Sequence, residues 1–537
     1  MRLLFILIGV FLIYHSKTQS LYPDVLHYQL DIEVNDLNDT IVCKSIILFV
    51  MSENATGIKL DLGSLNKSTG LGMKIEKLNL MKAGSTPDYR LPEYLHQSDI
   101  VDINHPLSKG DTAVLSIQYR GIPADGLIIS KNKYGHRTIF ADNWPDRGHQ
   151  WMACHDDPAD KASVEFAITA PLHYQVVANG IQTDEVNLED NKKLTRWKED
   201  IPLSTKVMVI GIADFSVNLA GFVDCIPVYN WVYPGDRGKD FFDYSKAKDI
   251  LPFYINHVGP YAYKKLANVE STTRFGGLEN ANTIFYTERS KKGDDSSNET
   301  LIAHEVAHQW FGDMATEKSF AHLWLSEGFA TYFAILYIED KYGKERAQAI
   351  LKADRDKIIA YTQDHPGPVV DTTARDFMKL LNPNNYEKGG WVLHMLRCEL
   401  GDAVFMKAIK KYYARYAGLT ADTEDLERVF ESVSGKNLSV FFKQWLYTSG
   451  NPGLTITWKK DPKAHKVDVR ITQAQKQVFN FPLELALRFA PNKILKQTVQ
   501  INQHETSYSF KTDGKPVELM ADPDTHLLFN CTISQVQ

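Results

Sequence analysis

The chain has 537 residues, 44% of them hydrophobic and 11% aromatic, which is enough to bury cores in roughly two to four domains. Its formal net charge is −6, from 60 basic and 66 acidic residues. A mildly acidic surface argues against nucleic acid or an anionic membrane as a partner, because both carry negative charge themselves.

The first twenty residues have the pattern of a secretory signal peptide. Arg2 provides a positive start, residues 3–14 are apolar, and Thr18 and Ser20 are small residues at the positions that precede a cut. The apolar stretch is shorter than the ~20 residues that span a bilayer. We therefore expect residues 1–20 to be removed, and the remaining protein to be periplasmic or extracellular without stable membrane insertion.

Hydrophobic periodicity divides the rest into three regions and predicts a multidomain α+β fold. Residues 21–215 alternate with period two, which predicts an N-terminal all-β sheet or sandwich domain. Residues 216–450 change to helical periodicity and carry the motifs described below. Residues 451–537 return to alternation after Asn451-Pro452-Gly453, which predicts a small C-terminal β-sandwich.

The first motif of the middle region is Gly276-Gly277-Leu278-Glu279-Asn280. Paired glycines in a strand allow another backbone to approach closely, and a buried carboxylate beyond them can bind a cationic group. A segment of this kind in isolation is more often a turn.

The most informative motif is His304-Glu305-Val306-Ala307-His308, with Glu327 following after eighteen intervening residues. Helical residues four apart lie on one face with Cβ atoms about 6 Å apart, so both imidazoles can reach one zinc ion. Glu327 can complete a His₂Glu set while leaving a fourth position open. Glu305 is then placed as the general base for a metal-activated water. By itself, the five-residue motif also occurs in ordinary helices.

The last motif, Asn385-Tyr386-Glu387-Lys388-Gly389-Gly390, opens a helix. A phenol with an ordinary pKa near 10 stays protonated at neutral pH, so Tyr386 could donate a hydrogen bond to a developing oxyanion. A tyrosine at a helix start is otherwise usually a packing residue.

Together these segments resemble the gluzincin aminopeptidases, the family of aminopeptidase N and the leukotriene-epoxide hydrolase. His304, His308 and Glu327 match the family's zinc signature, Glu305 its general base and Tyr386 its transition-state tyrosine. Residues 276–280 are similar to its exopeptidase motif, with Leu278 in place of methionine. Residues 153–162 resemble a further family signature around Cys154.

The resemblance implies a thermolysin-like catalytic domain with one Zn²⁺ per chain, acting on peptides that have a free N-terminus. Gly276, Gly277, Glu279 and Asn280 would bind the substrate, and Glu279 would hold its α-ammonium group. The family's usual Q-x-E or Q-x-Q pair is replaced by Asp142 and Trp144, so Asp142 is expected to supply the second negative charge. The chain would be a short form without the family's C-terminal helical domain, and its cleft would be open on one side.

Three other functions stay open at this point. A thermolysin-like endopeptidase would share the zinc helix but would need no anchor for a free amine. A lipid-epoxide hydrolase would need a helical domain that has no counterpart in the sequence. A catalytically dead peptide-binding homologue would be expected to have lost a zinc ligand or the base, and this chain has all four residues.

Overall fold

The computed structural model describes residues 20–84, 92–290, 296–461, 463–490, 493–512 and 514–536. The predicted signal peptide, apart from Ser20, lies outside these residues. None of the helices in the described ranges combines the length and apolar character needed to cross a membrane.

The N-terminal part of the chain is built from strands, as its alternating sequence predicts. In the second strand Val25, Tyr28, Leu30 and Ile32 are buried while the residues between them are partly exposed. The strands are β1 (Ser20–Leu21), β2 (Asp24–Glu33), β3 (Ile41–Val50), β4 (Gly57–Asp61), β5 (Gly72–Lys82), β6 (Glu93–Gln97), β7 (Ile100–Asn104), β8 (Thr112–Ile122), β9 (Leu127–Lys131), β10 (Arg137–Ala141), β11 (Lys161–Pro171), β12 (Gln175–Ala178), β13 (Ile181–Asn187), β14 (Lys192–Ser204) and β15 (Ile210–Ala213).

These strands form three sheets. The largest has seven strands in the order β13-β14-β11-β2-β3-β8-β5, with β11 parallel to β2. Two four-stranded sheets, β1-β4-β7-β6 and β12-β15-β10-β9, complete the region.

The middle part begins with a five-stranded sheet in the order β16-β17-β18-β20-β19 and continues as helices. Its strands are β16 (Ser216–Val223), β17 (Ile226–Val232), β18 (Leu266–Ser271), β19 (Gly277–Leu278), β20 (Thr283–Thr287), β21 (Thr316–Glu317) and β22 (Thr420–Ala421). Its helices are α1 (Arg237–His257), α2 (Ser296–His308), α3 (Trp324–Tyr342), α4 (Lys344–Asp364), α5 (Gly389–Leu400), α6 (Asp402–Tyr416), α7 (Thr423–Ser434) and α8 (Ser439–Leu446). Fourteen residues of α3 are buried, so this helix runs through the core.

The C-terminal part returns to strands and forms two sheets, β27-β24-β23-β29 and β26-β25-β28. Its strands are β23 (Gly453–Asp461), β24 (Lys466–Gln473), β25 (Phe481–Phe489), β26 (Lys493–Ile501), β27 (Glu505–Lys511), β28 (Glu518–Ala521) and β29 (Asn530–Gln535). The order of β-rich, helical and β-rich parts confirms the predicted multidomain α+β class. The boundaries after residues 215 and 450 stay predictions.

One buried lysine and one partly buried lysine connect the N-terminal strands to the helical part. Lys206, in the turn after β14, forms an ion pair with Glu317 of β21, and both side chains are almost completely buried. Lys161, at the start of β11, donates hydrogen bonds to the carbonyl oxygens of Asp313 and Met314 at 3.0 and 2.9 Å. Both lysines therefore hold the segment that follows α2 against the N-terminal sheets.

We expect Lys206→Met to lower the free energy of unfolding by roughly 3–5 kcal/mol, because the Glu317 carboxylate would stay buried without its counter-charge. Urea denaturation followed by circular dichroism measures this loss. The double variant Lys206→Met/Glu317→Leu should recover most of it. Lys264→Met is the matched control, since Lys264 pairs with Asp200 at the surface and its removal should cost at most ~1 kcal/mol. Equal losses for the buried and the exposed lysine would contradict the prediction.

Candidate active site

The predicted metal ligands converge where α2 and α3 pack against each other. His304 and His308 lie one turn apart on α2, and Glu327 lies in the first turn of α3. The two Nε2 atoms are 3.1 Å apart, and they lie 3.3 and 3.4 Å from Glu327 Oε2. A tetrahedral ion bound at about 2.0–2.1 Å would place its ligand atoms about 3.3–3.4 Å apart. The spacing of the three donor atoms thus fits one small tetrahedral metal ion.

The environment of His308 orients its ring for this role. Its Nδ1 atom lies 3.0 Å from the carbonyl oxygen of Phe311 and 3.0 Å from Ser326 Oγ. A proton on Nδ1 can be donated to these oxygens, and the Nε2 lone pair then faces the cluster. Gly312 has a φ of +115°, and a Cβ atom there would overlap Ser326 Oγ. The turn after α2 therefore needs a glycine at this position.

The negative charge of the cluster also favours the binding of a cation. Three buried carboxylates, those of Glu279, Glu305 and Glu327, surround two imidazoles. Burial opposes protonation of His308, but Glu327 and the other two carboxylates outweigh it and raise the pKa of this imidazole to about 10. Glu327 Oε2 has no hydrogen-bond partner of good geometry among the described residues. The donor set and its excess negative charge fit a divalent ion.

Glu305 lies beside the metal ligands and against the strand β19. Burial, reinforced by the charges of Glu279 and Glu327, raises the pKa of its carboxyl group well above the ordinary value. A Cβ atom on Gly277 would overlap this carboxyl group. The second glycine of the pair therefore lets the carboxyl group of the predicted base approach the β19 backbone. The paired glycines predicted the approach of another backbone, whereas the group that approaches Gly277 is the Glu305 side chain, and a Cβ atom on Gly276 would meet nothing within 4 Å.

Tyr386 reaches the cluster from a π-helical turn, Asn384–Lys388, that leads into α5. Its ring stacks on the His304 imidazole with centroids 6.0 Å apart and planes inclined by 6°. Burial, together with the charges of Glu327 and Glu279, raises the pKa of its phenol well above 10. The hydroxyl group is thus protonated and can donate a hydrogen bond.

A close helix crossing positions Tyr386. A Cβ atom on Gly328 of α3 would lie 2.8 Å from backbone atoms of Gly389, and one on Gly389 would lie 3.0 Å from the Gly328 Cα. Gly328 follows the ligand Glu327, and Gly389 lies three residues after Tyr386. Two facing glycines thus let α3 and α5 approach closely enough to bring the phenol to the metal ligands.

Residues 276–279 line the cavity on the same side as Glu305, whereas Asn280 is buried and is not among the lining residues. The Glu279 carboxylate has atoms within 4.8 Å of both Glu305 and His308, and its Oε1 has no hydrogen-bond partner among the described residues. Gln309, the residue after His308, donates to the Glu279 carbonyl oxygen at 2.9 Å and accepts from the Asn282 amide at 2.6 Å. The residue that follows α2 therefore holds the backbone on both sides of Asn280.

The structure does not bring Asp142 into the cavity. Its side chain is completely buried and forms an ion pair with Arg147. It also accepts a hydrogen bond from the Arg274 amide at 3.1 Å. The neighbouring Trp144 lines the cavity instead. The expected second anchor for a substrate amine is thus placed behind the wall, where its carboxylate supports the segment that leads to Gly276.

The predicted metal ligands, Glu305, Tyr386 and residues 276–279 line one cavity of about 680 Å³, a size that suits a small peptide. Besides the predicted residues, it is lined by Trp144, Phe275, Thr300, Leu301, Thr331, Ala334, Ile335, Arg346, Ile350, Asp354, Leu381 and Glu387. Gln309 and Gly328 adjoin predicted ligands in sequence, and that adjacency is the signal that could have found them. Arg346, Ile350 and Asp354 of α4 lie in no motif, so only the packing of α4 shows that they line the cavity.

Comparison with known proteins gives matches along most of the chain. Residues 24–207 match the Peptidase M1 N-terminal domain, and residues 242–445 match the Peptidase family M1 domain. "Probable aminopeptidase 2" of Sulfurisphaera tokodaii is 30% identical over 365 residues, which are 63% of this chain and 45% of that protein. "Aminopeptidase M1" of Arabidopsis thaliana is 28% identical over 61% of this chain and 40% of its own length. "Glutamyl aminopeptidase" of Bitis rhinoceros is 25% identical over 65% and 40%.

The aligned part spans a little under half the length of these relatives. The two family domains, however, cover more than half of this chain, and they contain the predicted metal ligands, Glu305 and Tyr386. The protein therefore belongs to peptidase family M1.

Proposed function

We propose that this protein is a zinc-dependent aminopeptidase that hydrolyses the first peptide bond of peptides with a free N-terminus. The observation that carries the proposal is the buried Glu279 carboxylate, which lies within 4.8 Å of Glu305 and His308 and has an oxygen without a partner. A free α-ammonium group next to the scissile bond is the substrate feature that would pair with it. Family M1 is metal-dependent, generally through zinc, which supports the choice of ion.

His304, His308 and Glu327 would hold one Zn²⁺ through the three converging atoms. When bound, this ion supplies Lewis-acid chemistry to the attacking water and to the scissile carbonyl. Glu305 accepts the proton of the water as attack occurs, and its burial favours the protonated form that it then takes. It passes this proton to the nitrogen of the leaving peptide.

Two further groups act on the substrate directly. Tyr386 donates its hydroxyl proton in a hydrogen bond to the oxyanion that develops on the carbonyl. Glu279 holds the α-ammonium group and so confines cleavage to the first bond. A blocked N-terminus would leave Glu279 buried without a partner, which disfavours binding.

We also propose that the protein is exported. This proposal rests on the signal-peptide pattern of residues 1–20, since no contact in the structure bears on it. All five cysteines are unpaired in the structure, so the fold contains no disulfide that would depend on an oxidising compartment.

A panel of aminoacyl fluorogenic substrates, run with and without a chelator, tests the main proposal. We expect hydrolysis of at least one substrate, its loss after chelation, and its recovery when one equivalent of Zn²⁺ is added. Glu305→Gln is the control for contaminating peptidases, since it should retain zinc but lower kcat by ~10²–10⁴-fold. Cleavage of N-acetylated peptides in the middle of the chain would instead support an endopeptidase. Metal binding without turnover would support a peptide-binding protein.

For Tyr386→Phe, we expect kcat to fall by roughly 10²–10³-fold with little change in KM, because the hydrogen bond forms only with the oxyanion. Steady-state kinetics on the best substrate of the panel measures both constants. A change mainly in KM would show that the phenol binds the ground-state substrate.

For Glu279→Gln, we expect the preference for a free over an acetylated N-terminus to fall by at least ~10-fold, since a neutral amide cannot pair with the ammonium group. The ratio of kcat/KM for a free and an acetylated peptide measures this preference. Asp142→Asn is the control that separates the two carboxylates. If Asp142→Asn alone abolished the preference, the second anchor would lie there despite its burial.

A further inference from the structure

The cavity has a second wall, formed by α4. The strand β19 packs against α2, whereas α4 packs against α3 and the Tyr386 turn. The two walls therefore approach the predicted metal ligands through different helices. Arg346, Ile350 and Asp354 follow one another at intervals of four on α4, and all three line the cavity.

Asp354 is a carboxylate without a counter-charge of its own. It forms no hydrogen bond or contact ion pair with another residue in the described ranges, and Lys357, whose charge acts on it, is engaged with Glu387. Burial, together with the negative charge of Glu387, raises the pKa of Asp354 to about 7. The α4 wall thus holds a carboxylate whose ionised form would be stabilised by a bound cation.

Glu387 adds to the negative charge at this place. It follows Tyr386 directly and lines the cavity beside Asp354. Lys357 binds its Oε1, while its Oε2 is buried without a hydrogen-bond partner among the described residues. Two carboxylates therefore line the cavity here, and the lysine beside them is paired with Glu387 alone.

The direction of a bound substrate follows from the proposed function, on which this inference rests. With the α-ammonium group at Glu279 and the scissile carbonyl at the metal ligands, the leaving segment has to continue past Tyr386 toward α4. The side chain of the second substrate residue then meets the α4 wall. Apolar side chains of Leu301, Ile335 and Ile350 line the same cavity, and Ile350 lies one turn before Asp354 on the α4 wall.

An apolar channel that ends at carboxylates suits a side chain with a long aliphatic stem and a cationic tip. Arg346 is the one cavity-lining cation on the described part of α4, and it is itself engaged in a polar interaction. It lies eight residues before Asp354, or about 12 Å along the helix axis. Its charge therefore disfavours a cation at the far end of the wall and leaves the Asp354 end as the favoured position.

We propose that Asp354, assisted by Glu387, selects peptides whose second residue is lysine or arginine. The first residue is released from such a substrate while the cationic side chain of the leaving peptide is held at the α4 wall. Asp354 is thus a specificity-determining residue that contacts the substrate and takes no part in bond cleavage.

The test compares Leu-Lys-Ala with Leu-norleucine-Ala, which has a similar aliphatic stem without the charge. We expect kcat/KM to favour the lysine peptide by about tenfold, the usual scale for one charge-assisted contact. Asp354→Asn should reduce this ratio to within about twofold, and Asp354→Glu should keep most of it. Because the readout is a ratio on one enzyme, a general loss of activity cancels.

Asp356→Asn is the matched control, since Asp356 is an exposed acid on the same helix outside the cavity lining. It should keep the wild-type ratio. A wild-type ratio near one, a ratio that survives in Asp354→Asn, or an equal loss in Asp356→Asn would each overturn the proposal. Failure to cleave either peptide, or any substrate of the aminoacyl panel, would instead overturn the aminopeptidase function itself.

Discussion

The site depends above all on the packing of α3 between α2 and α5. The helix α3 carries Glu327 toward the two imidazoles of α2, and the next residue, Gly328, allows α5 to approach on its other side. A side chain at this crossing would separate the helices, and Tyr386 would move with α5 away from the metal ligands. The packing of α3 against α2 and α5 therefore sets the distances among Glu305, the predicted metal ligands and the Tyr386 phenol.

The packing around α3 brings together the buried carboxylates of Glu279, Glu305 and Glu327, and their negative charge favours the binding of cations. Three buried carboxylates would destabilise the fold if they stayed ionised without partners. In the proposed function, a divalent ion held by the two imidazoles would compensate Glu327, and a substrate ammonium group would compensate Glu279. The same electrostatic need thus underlies both metal binding and recognition of a free N-terminus, so the two events should reinforce each other.

The N-terminal strands contribute to the site mostly from behind its walls. Trp144 lines the cavity, whereas Asp142 and Arg147 form a buried pair that also contacts the Arg274 backbone. Lys161 and Lys206 hold the loop after α2 in the same indirect way. These sheets therefore support the cavity chiefly by fixing segments that carry its walls, through buried ions rather than groups facing the substrate.

The convergence of the two histidines on α2 could be predicted from the sequence because its geometry is local. Residues four apart on a helix share a face whatever the rest of the fold does, so His304 and His308 predict each other's position. The alternating and helical periodicities likewise predict the three parts of the chain. The spacing of apolar residues within one segment is enough to indicate whether that segment buries one face as a strand or as a helix. The positions of Glu327 and Tyr386 required more, namely resemblance to a family whose motifs occur in the same order.

Tertiary structure alone decided what lies behind and across from these motifs. Asp142 carries the charge that an amine anchor needs, yet the fold pairs it with Arg147 five residues later and turns it from the cavity. Asp354 lies in no motif, and its place on the cavity wall arises because α4 packs on α3 and the Tyr386 turn. A sequence specifies which charges a chain carries and the periodicity of each element. Which charges become paired is decided by contacts between residues distant in sequence, and these form only when the elements pack.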